Sequence, residues 1–276
     1  MELHLHLDGA MAIPWLLERV RRREVGVATP EALHARLAFQ TFGEFIERWV
    51  WKCGFLDRYE DFESLAESVL TDLAAQGVVH VEPSISPGDY EKAHGLEATG
   101  VVEAVLRGME RATRAHGITW GLVVDLIRNH GPATAARRLE EITSYRGQGV
   151  VAVGLGGSEV EYPPGPFAEV YAEAARRGFH LTAHAGEVAG PPSIREALDL
   201  LGVERIDHGI RAVDDPALVA RLAREAVPLA GLSHLQRADG RRAEPRPAPP
   251  PAPLRRGCPR DGQLGRPHVL RRERAR

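Results

Sequence analysis

ELHLHL, residues 2–7, alternates charged or imidazole side chains with leucine without a break. That is the period of a β-strand, not of a helix. Its two histidines, His4 and His6, therefore project from one face of the strand. Outward from this stretch, GVVHVEPSI (77–85), ITWGLVVDLI (118–127), VVAVGLGG (150–157), FHLTAHAG (179–186), ERIDHG (204–209) and VPLAGL (227–232) are further strand candidates. Helical patterns separate them at 13–23, 42–56, 59–76, 96–116, 132–145, 166–177, 193–201 and 216–225. Strands alternating with helices imply right-handed βαβ units around a parallel sheet. Seven such units predict an α/β fold, a (β/α)8 TIM-type barrel that is incomplete because strand eight is lost.

The 276 residues divide by composition. Residues 238–276 hold 11 Arg against 4 acids and 8 of the 20 prolines, with no apolar run longer than two residues. Such a segment buries too little apolar surface to offset its ordering entropy. We therefore expect a barrel over residues 1–237 and a disordered Arg/Pro-rich tail over 238–276. The net charge of −3 gives no overall pull toward nucleic acid or membrane. There is no 18-residue apolar run and no N-terminal signal pattern, so the expected location is cytoplasmic. Two cysteines, Cys53 and Cys258, provide neither a disulfide framework nor a Cys-rich zinc site. With no Cys-x-x-Cys, the Cys-dependent zinc deaminases of polynucleotides are excluded.

Two imidazoles on one strand face are what Zn²⁺ or Fe²⁺ takes as ligands. Asp8 follows at the end of the same strand, where barrel enzymes build their sites. In LTAHAGE (181–187), His184 ends another strand and is followed by small residues and then Glu187. His208 ends the next, again before a glycine. His34, His94, His116 and His130 fall in helices or loops. His80 and His180 lie in strands away from their C-terminal ends, where packing is the expected role.

ELHLHLDGA, GLGGSE, HAGE and IDHG, in this order, resemble the successive signatures of the adenosine deaminase family of metal-dependent amidohydrolases, over residues 1 to about 229. The resemblance implies one Zn²⁺ held by His4, His6 and His184. It implies that Glu187 protonates the purine ring nitrogen and that His208 orients and deprotonates the attacking water. It places substrate on His6, on Asp8 (through the ribose) and on the backbone of Gly157. Lys52 and Lys92 are the only lysines, and neither ends a strand, so a lysine-bridged pair of metals is not expected. The implied activity is hydrolytic deamination of adenosine or a related 6-aminopurine nucleoside, a small-molecule partner. Adenine and a modified adenosine such as aminodeoxyfutalosine are alternative substrates, and a non-catalytic, metal-binding barrel fragment is an alternative of another class. Binding of nucleic acid by the basic tail is the third and least favoured reading. Nothing in the sequence fixes an oligomeric state.

The resemblance also implies an Asp-Asp-Pro closing strand eight, whose first Asp binds zinc. The chain has VDDPA at 213–217, but this precedes the seventh strand and stands where a helix begins, so Asp214 and Asp215 read as helix N-terminal residues. The codons of GQLGRPHVL (262–270), shifted by one base, can encode Asn-Ser-Asp-Asp-Pro-Met-Phe. Those of 231–237, shifted in the same way, can encode Val-Cys-Pro-Thr-Ser-Asn. We therefore expect a frameshift near residues 229–231, a barrel without its last strand, and negligible activity in the chain as written unless another carboxylate, such as Asp261, substitutes.

Overall fold

The computed structural model describes residues 1–231 apart from Glu24, Val25 and Ala28. The expected tail, its boundary at 237/238 and Asp261 lie outside the described residues. The strands are β1 (Glu2–His6), β2 (His80–Ile85), β3 (Thr119–Trp120), β4 (Leu122–Ile127), β5 (Val150–Gly156), β6 (His180–Ala185), β7 (Arg205–His208) and β8 (Leu229–Ala230). They form one parallel sheet in the order β1-β2-β4-β5-β6-β7-β8, with β3 paired to β2. All seven expected strands are present. The third is in two pieces, because the chain at Gly121 passes so close to β5 that a Cβ would lie 2.7 Å from Val151 Cγ2.

Burial on both faces explains the nearly continuous apolar runs: in LVVDLI of β4, five of six residues are buried. Helices α1 (Ile13–Val20), α3 (Phe42–Cys53), α4 (Tyr59–Ala75), α6 (Ala98–His116), α7 (Gly131–Ile142), α8 (Ala168–Arg176), α9 (Pro191–Asp199) and α10 (Pro216–Arg224) fall within the expected segments or overlap their ends. Two helices were not expected, α2 (Pro30–Leu37) and α5 (Pro87–His94). Each has eight residues and at most two buried ones, too little for an apolar stripe to register. The main core lies between sheet and helices, with Phe62, Leu65, Met109, Val124, Leu155 and Tyr171 in it. A smaller cluster of Leu16, Leu17, Val20, Leu33 and Phe55 ties α1 to α2 and to the end of α3.

The sheet does not close. No backbone pairing joins β8 to β1 among the described residues. Across the seam, His4 Nδ1 donates to the Ala230 carbonyl at 2.7 Å. Among the described residues no helix is long and apolar enough to cross a membrane.

Candidate metal centre and active site

Parallel strands bring their C-terminal ends to one rim, and four histidines meet there. His4 and His6 come from β1, His184 from β6 and His208 from the last position of β7. His184 Nε2 lies 3.3 Å from His4 Nε2 and 2.9 Å from His6 Nε2. Ligand atoms of His4, His184 and His208 all lie within 4.8 Å of one another. His208 thus joins the cluster expected of His4, His6 and His184.

Three imidazole nitrogens face one another where at most a proton or a cation can sit between them. The Ala230 carbonyl holds the proton of His4 on Nδ1, which leaves Nε2 as a bare lone pair. His6 Nδ1 is 3.2 Å from Ser84 Oγ, so its Nε2 also points inward. His184 Nδ1 is buried without a hydrogen-bond partner. Burial, then the neighbouring imidazoles His4 and, for His6, also Lys52, push His6 and His208 down to about 3; for His208 the neighbours are His4 and His6. Burial and the other three histidines hold His184 well below its ordinary value. Neutral rings at neutral pH offer lone pairs, and the 3.3 Å separation matches the roughly 3.3–3.4 Å edge of a tetrahedron with Zn–N bonds of about 2.0–2.1 Å. The donor set fits zinc. Among the described residues no carboxylate completes the group.

Glu187 follows β6, and its Oε2 is 3.5 Å from His208 Nε2. His208 has φ of +73°, an uncommon conformation for a residue with a side chain and one that concentrates at functional sites. Gly209 follows at +68°, so the strand end turns sharply and delivers the buried ring to the rim. Gly157 lies just past β5 with φ of +101°; a Cβ there would be 2.3 Å from Asn129 Oδ1, so only glycine leaves this backbone bare.

Asp8 departs from the expected arrangement. β1 ends at His6, and Asp8 stands in the following turn rather than on the strand face. Its carboxylate is buried and accepts a hydrogen bond from the Tyr90 hydroxyl at 2.6 Å. Burial raises it from its ordinary value, against the pull of Tyr90 and Lys52. Lys52, on α3 and not at a strand end, donates to the Gly9 carbonyl at 2.8 Å. Trp49 of the same helix stands edge-on to His6, 5.5 Å between ring centres, and walls the mouth.

Asp215 keeps the role read from sequence, whereas Asp214 ends a short 3-10 turn over Ile210–Asp214 and caps no helix. Asp215 caps α10, accepting from the backbone N–H of Ala217 and Leu218 at 3.0 and 3.1 Å. It also pairs with Arg195, and Asp214 with Arg211. His34 bonds its own helix at the Pro30 carbonyl, His130 meets Asp89, and His80 and His180 sit at exposed strand starts beside Glu82 and Glu204. Two polar residues of the rim escaped sequence reasoning, Arg128 and Glu159. Glu159 was visible as the one acid after the glycines of GLGGSE. Arg128, one of 33 arginines, carried no signal.

The adenosine deaminase family profile matches residues 1–232. The chain is 39% identical over 230 residues to an adenine deaminase of Streptomyces coelicolor, covering 83% of this chain and 67% of that protein. Among solved structures, an adenine deaminase from Arthrobacter aurescens superposes with a TM-score of 0.76 at 30% identity, covering 83% of this chain and 70% of its own. An amidohydrolase from Burkhoderia ambifaria with bound Zn superposes at 0.75 and 29% identity, covering 83% and 64%. The chain spans about two thirds of the length of the curated relatives it matches.

Proposed function

This chain belongs to the adenosine deaminase family, and we propose that its site is one that holds one zinc ion on His4, His6 and His184 and hydrolyses the 6-amino group of a purine, free adenine in preference to its nucleoside, with turnover by the chain as written weak for want of the strand-eight aspartate. The observation that carries this reading is the convergence of the Nε2 atoms of His4, His6 and His184 beside the Glu187–His208 pair at one rim. When bound, zinc supplies Lewis acidity that makes hydroxide available from water near neutral pH. His208 Nε2 is placed to take up the proton that the attacking water loses. Glu187 Oε2, on the same side, delivers a proton to the ring nitrogen beside C6, without which the ring cannot accept hydroxide there. The amino group then takes the proton held on His208, the C6–N bond breaks, ammonia leaves, and the C6 hydroxyl returns its proton to Glu187, so that a 6-oxopurine remains.

Two observations favour the base over the nucleoside. The Asp8 carboxylate, which the nucleoside reading needs for the ribose, is engaged by Tyr90, and a relative at 39% identity is named an adenine deaminase. A second reading, a metal-binding barrel fragment without turnover, is favoured by the unpaired seam between β8 and β1 and by the lack of a carboxylate in the histidine group among the described residues. Zinc analysis with ammonia release from adenine and from adenosine decides. One zinc per chain with turnover of adenine supports deamination. Zinc without turnover supports the fragment, and no zinc overturns both.

A further inference from the structure

The segment from His184 to Ala189 is gripped by two buried charges. Glu159 is 8% exposed and directs both carboxylate oxygens at this one segment and the helix after it. Oε1 accepts from the Gly186 N–H and, at 2.7 Å, from the Ser193 hydroxyl. Oε2 accepts from the N–H groups of Glu187, Val188 and Ala189 at 3.1, 2.9 and 3.0 Å. Four consecutive amides aimed at one point form an anion-binding nest, and here the anion is a side chain. From the other side Arg128, fully buried, donates through Nη2 to the His184 carbonyl at 2.6 Å and through Nη1 to the Tyr162 carbonyl at 3.0 Å. A carboxylate is costly to bury unless its lone pairs are met, and a packed barrel rim does not need one. This one is met by five donors, and the residue at the centre of the nest is Glu187.

We propose that Glu159 is a positioning residue for Glu187: by fixing the backbone of 186–189 it aims the Glu187 carboxyl into the site, with Arg128 anchoring the preceding His184. The inference rests on the reading of Glu187 as the substrate-facing acid. Its logic is one of donor count. Glutamine in place of Glu159 turns one oxygen into an NH₂ group and sets a donor against either Gly186 or the three amides that follow. Aspartate keeps the charge but withdraws both oxygens by one methylene. The ligand set of the metal, in contrast, loses no direct contact in either variant.

The test uses the full zinc-loaded chain and hypoxanthine, the 6-oxopurine that adenine hydrolysis leaves, whose N1–H a Glu187 carboxylate accepts. Calorimetry of Glu159→Gln should show hypoxanthine affinity reduced at least about tenfold and zinc affinity changed less than about threefold. In a Glu187→Gln background the same substitution should cost less than about threefold, because the two residues act as one unit. Glu159→Asp should move affinity in the same direction by less, giving a second, graded variant. Equal losses in both backgrounds, or a loss of zinc as large as the loss of purine, overturn the proposal and make Glu159 a general support of the fold. Amide hydrogen exchange supplies a readout that needs no purine. In Glu159→Gln, Glu187, Val188 and Ala189 should exchange at least about tenfold faster while β6 is unchanged; unaltered exchange overturns the proposal. If the parent chain binds zinc but not hypoxanthine, the purine reading fails, and the exchange measurement still decides whether Glu159 holds the loop.

Discussion

Glu187 and Asp125 are both acids of the barrel's polar interior, and their surroundings give them different consequences. Glu187 is about three-tenths exposed and faces His208, as a group that exchanges protons with a bound purine must. In a chain with the reading frame restored after residue 229, Glu187→Gln should retain zinc while turnover, measured by ammonia release, falls by about 10²–10⁴-fold, because only proton donation is removed. Parallel loss of zinc would make Glu187 a ligand instead. Asp125 is buried on β4, 4.0 Å from His6, with Oδ2 lacking a partner. Burial and the Asp207 carboxylate push it up to about 8. The folded chain therefore keeps this proton up to about pH 8, whereas the unfolded chain loses it near 3.8. At this one group the folded state binds more protons across that window, so its contribution to stability falls as pH rises, by at most about 1.4 kcal/mol per pH unit. Asp125→Asn removes the slope. In metal-free protein its Tm relative to the parent should be clearly higher at pH 8 than at pH 4.5, and an equal difference at both would contradict the raised value.

Among the elements, β7 and α10 show how a motif's meaning depends on where the chain has reached. The pair Asp214–Asp215 has the composition of a zinc-binding motif, yet Asp214 ends a 3-10 turn and Asp215 caps α10, where it meets two backbone N–H groups left open by the helix. Asp215→Ala should cost about 1 kcal/mol in denaturant unfolding and leave zinc stoichiometry unchanged; loss of the metal would return Asp215 to the ligand set. The long elements α4, α6 and β5 were legible because many apolar positions repeat in one period. Helices α2 and α5 were not. Each starts at a proline, carries a polar sequence and is held by a few contacts, such as Leu33 in the small cluster and Tyr90 on Asp8. Such a helix is specified by what it packs against rather than by its own pattern.

At the largest scale, the described residues form a sheet with a histidine cluster at its strand ends, and the His4–Ala230 bond links its two end strands. The ligands come from β1, at one end of the sheet, and from β6, two strands short of the other end, so a cation bound there links strands that are not neighbours in the sheet. Free metal at 100 times its dissociation constant should stabilise the fold by about 2.7 kcal/mol. For a chain of this size that is a rise in Tm of roughly 2–4 °C per kcal/mol, seen by thermal denaturation with zinc and reversed by a chelator. A Tm indifferent to zinc would show that the histidines hold no ion.

The sequence by itself determined the alternation of strands and helices, the barrel class, and the placement of His4, His6, His184, Glu187 and His208 at strand ends. A period of two and a glycine after a strand are local properties, and the chain carries them wherever it folds. Only the tertiary structure decided that His208 joins the histidine group, that Asp8 is taken up by Tyr90 from α5, and that Glu159 and Arg128 grip the loop of Glu187. Those pairings join residues 24 to 204 positions apart. They arise where parallel strand ends and the loops beyond them are forced onto one rim, and no spacing along the chain encodes which neighbour each side chain meets there.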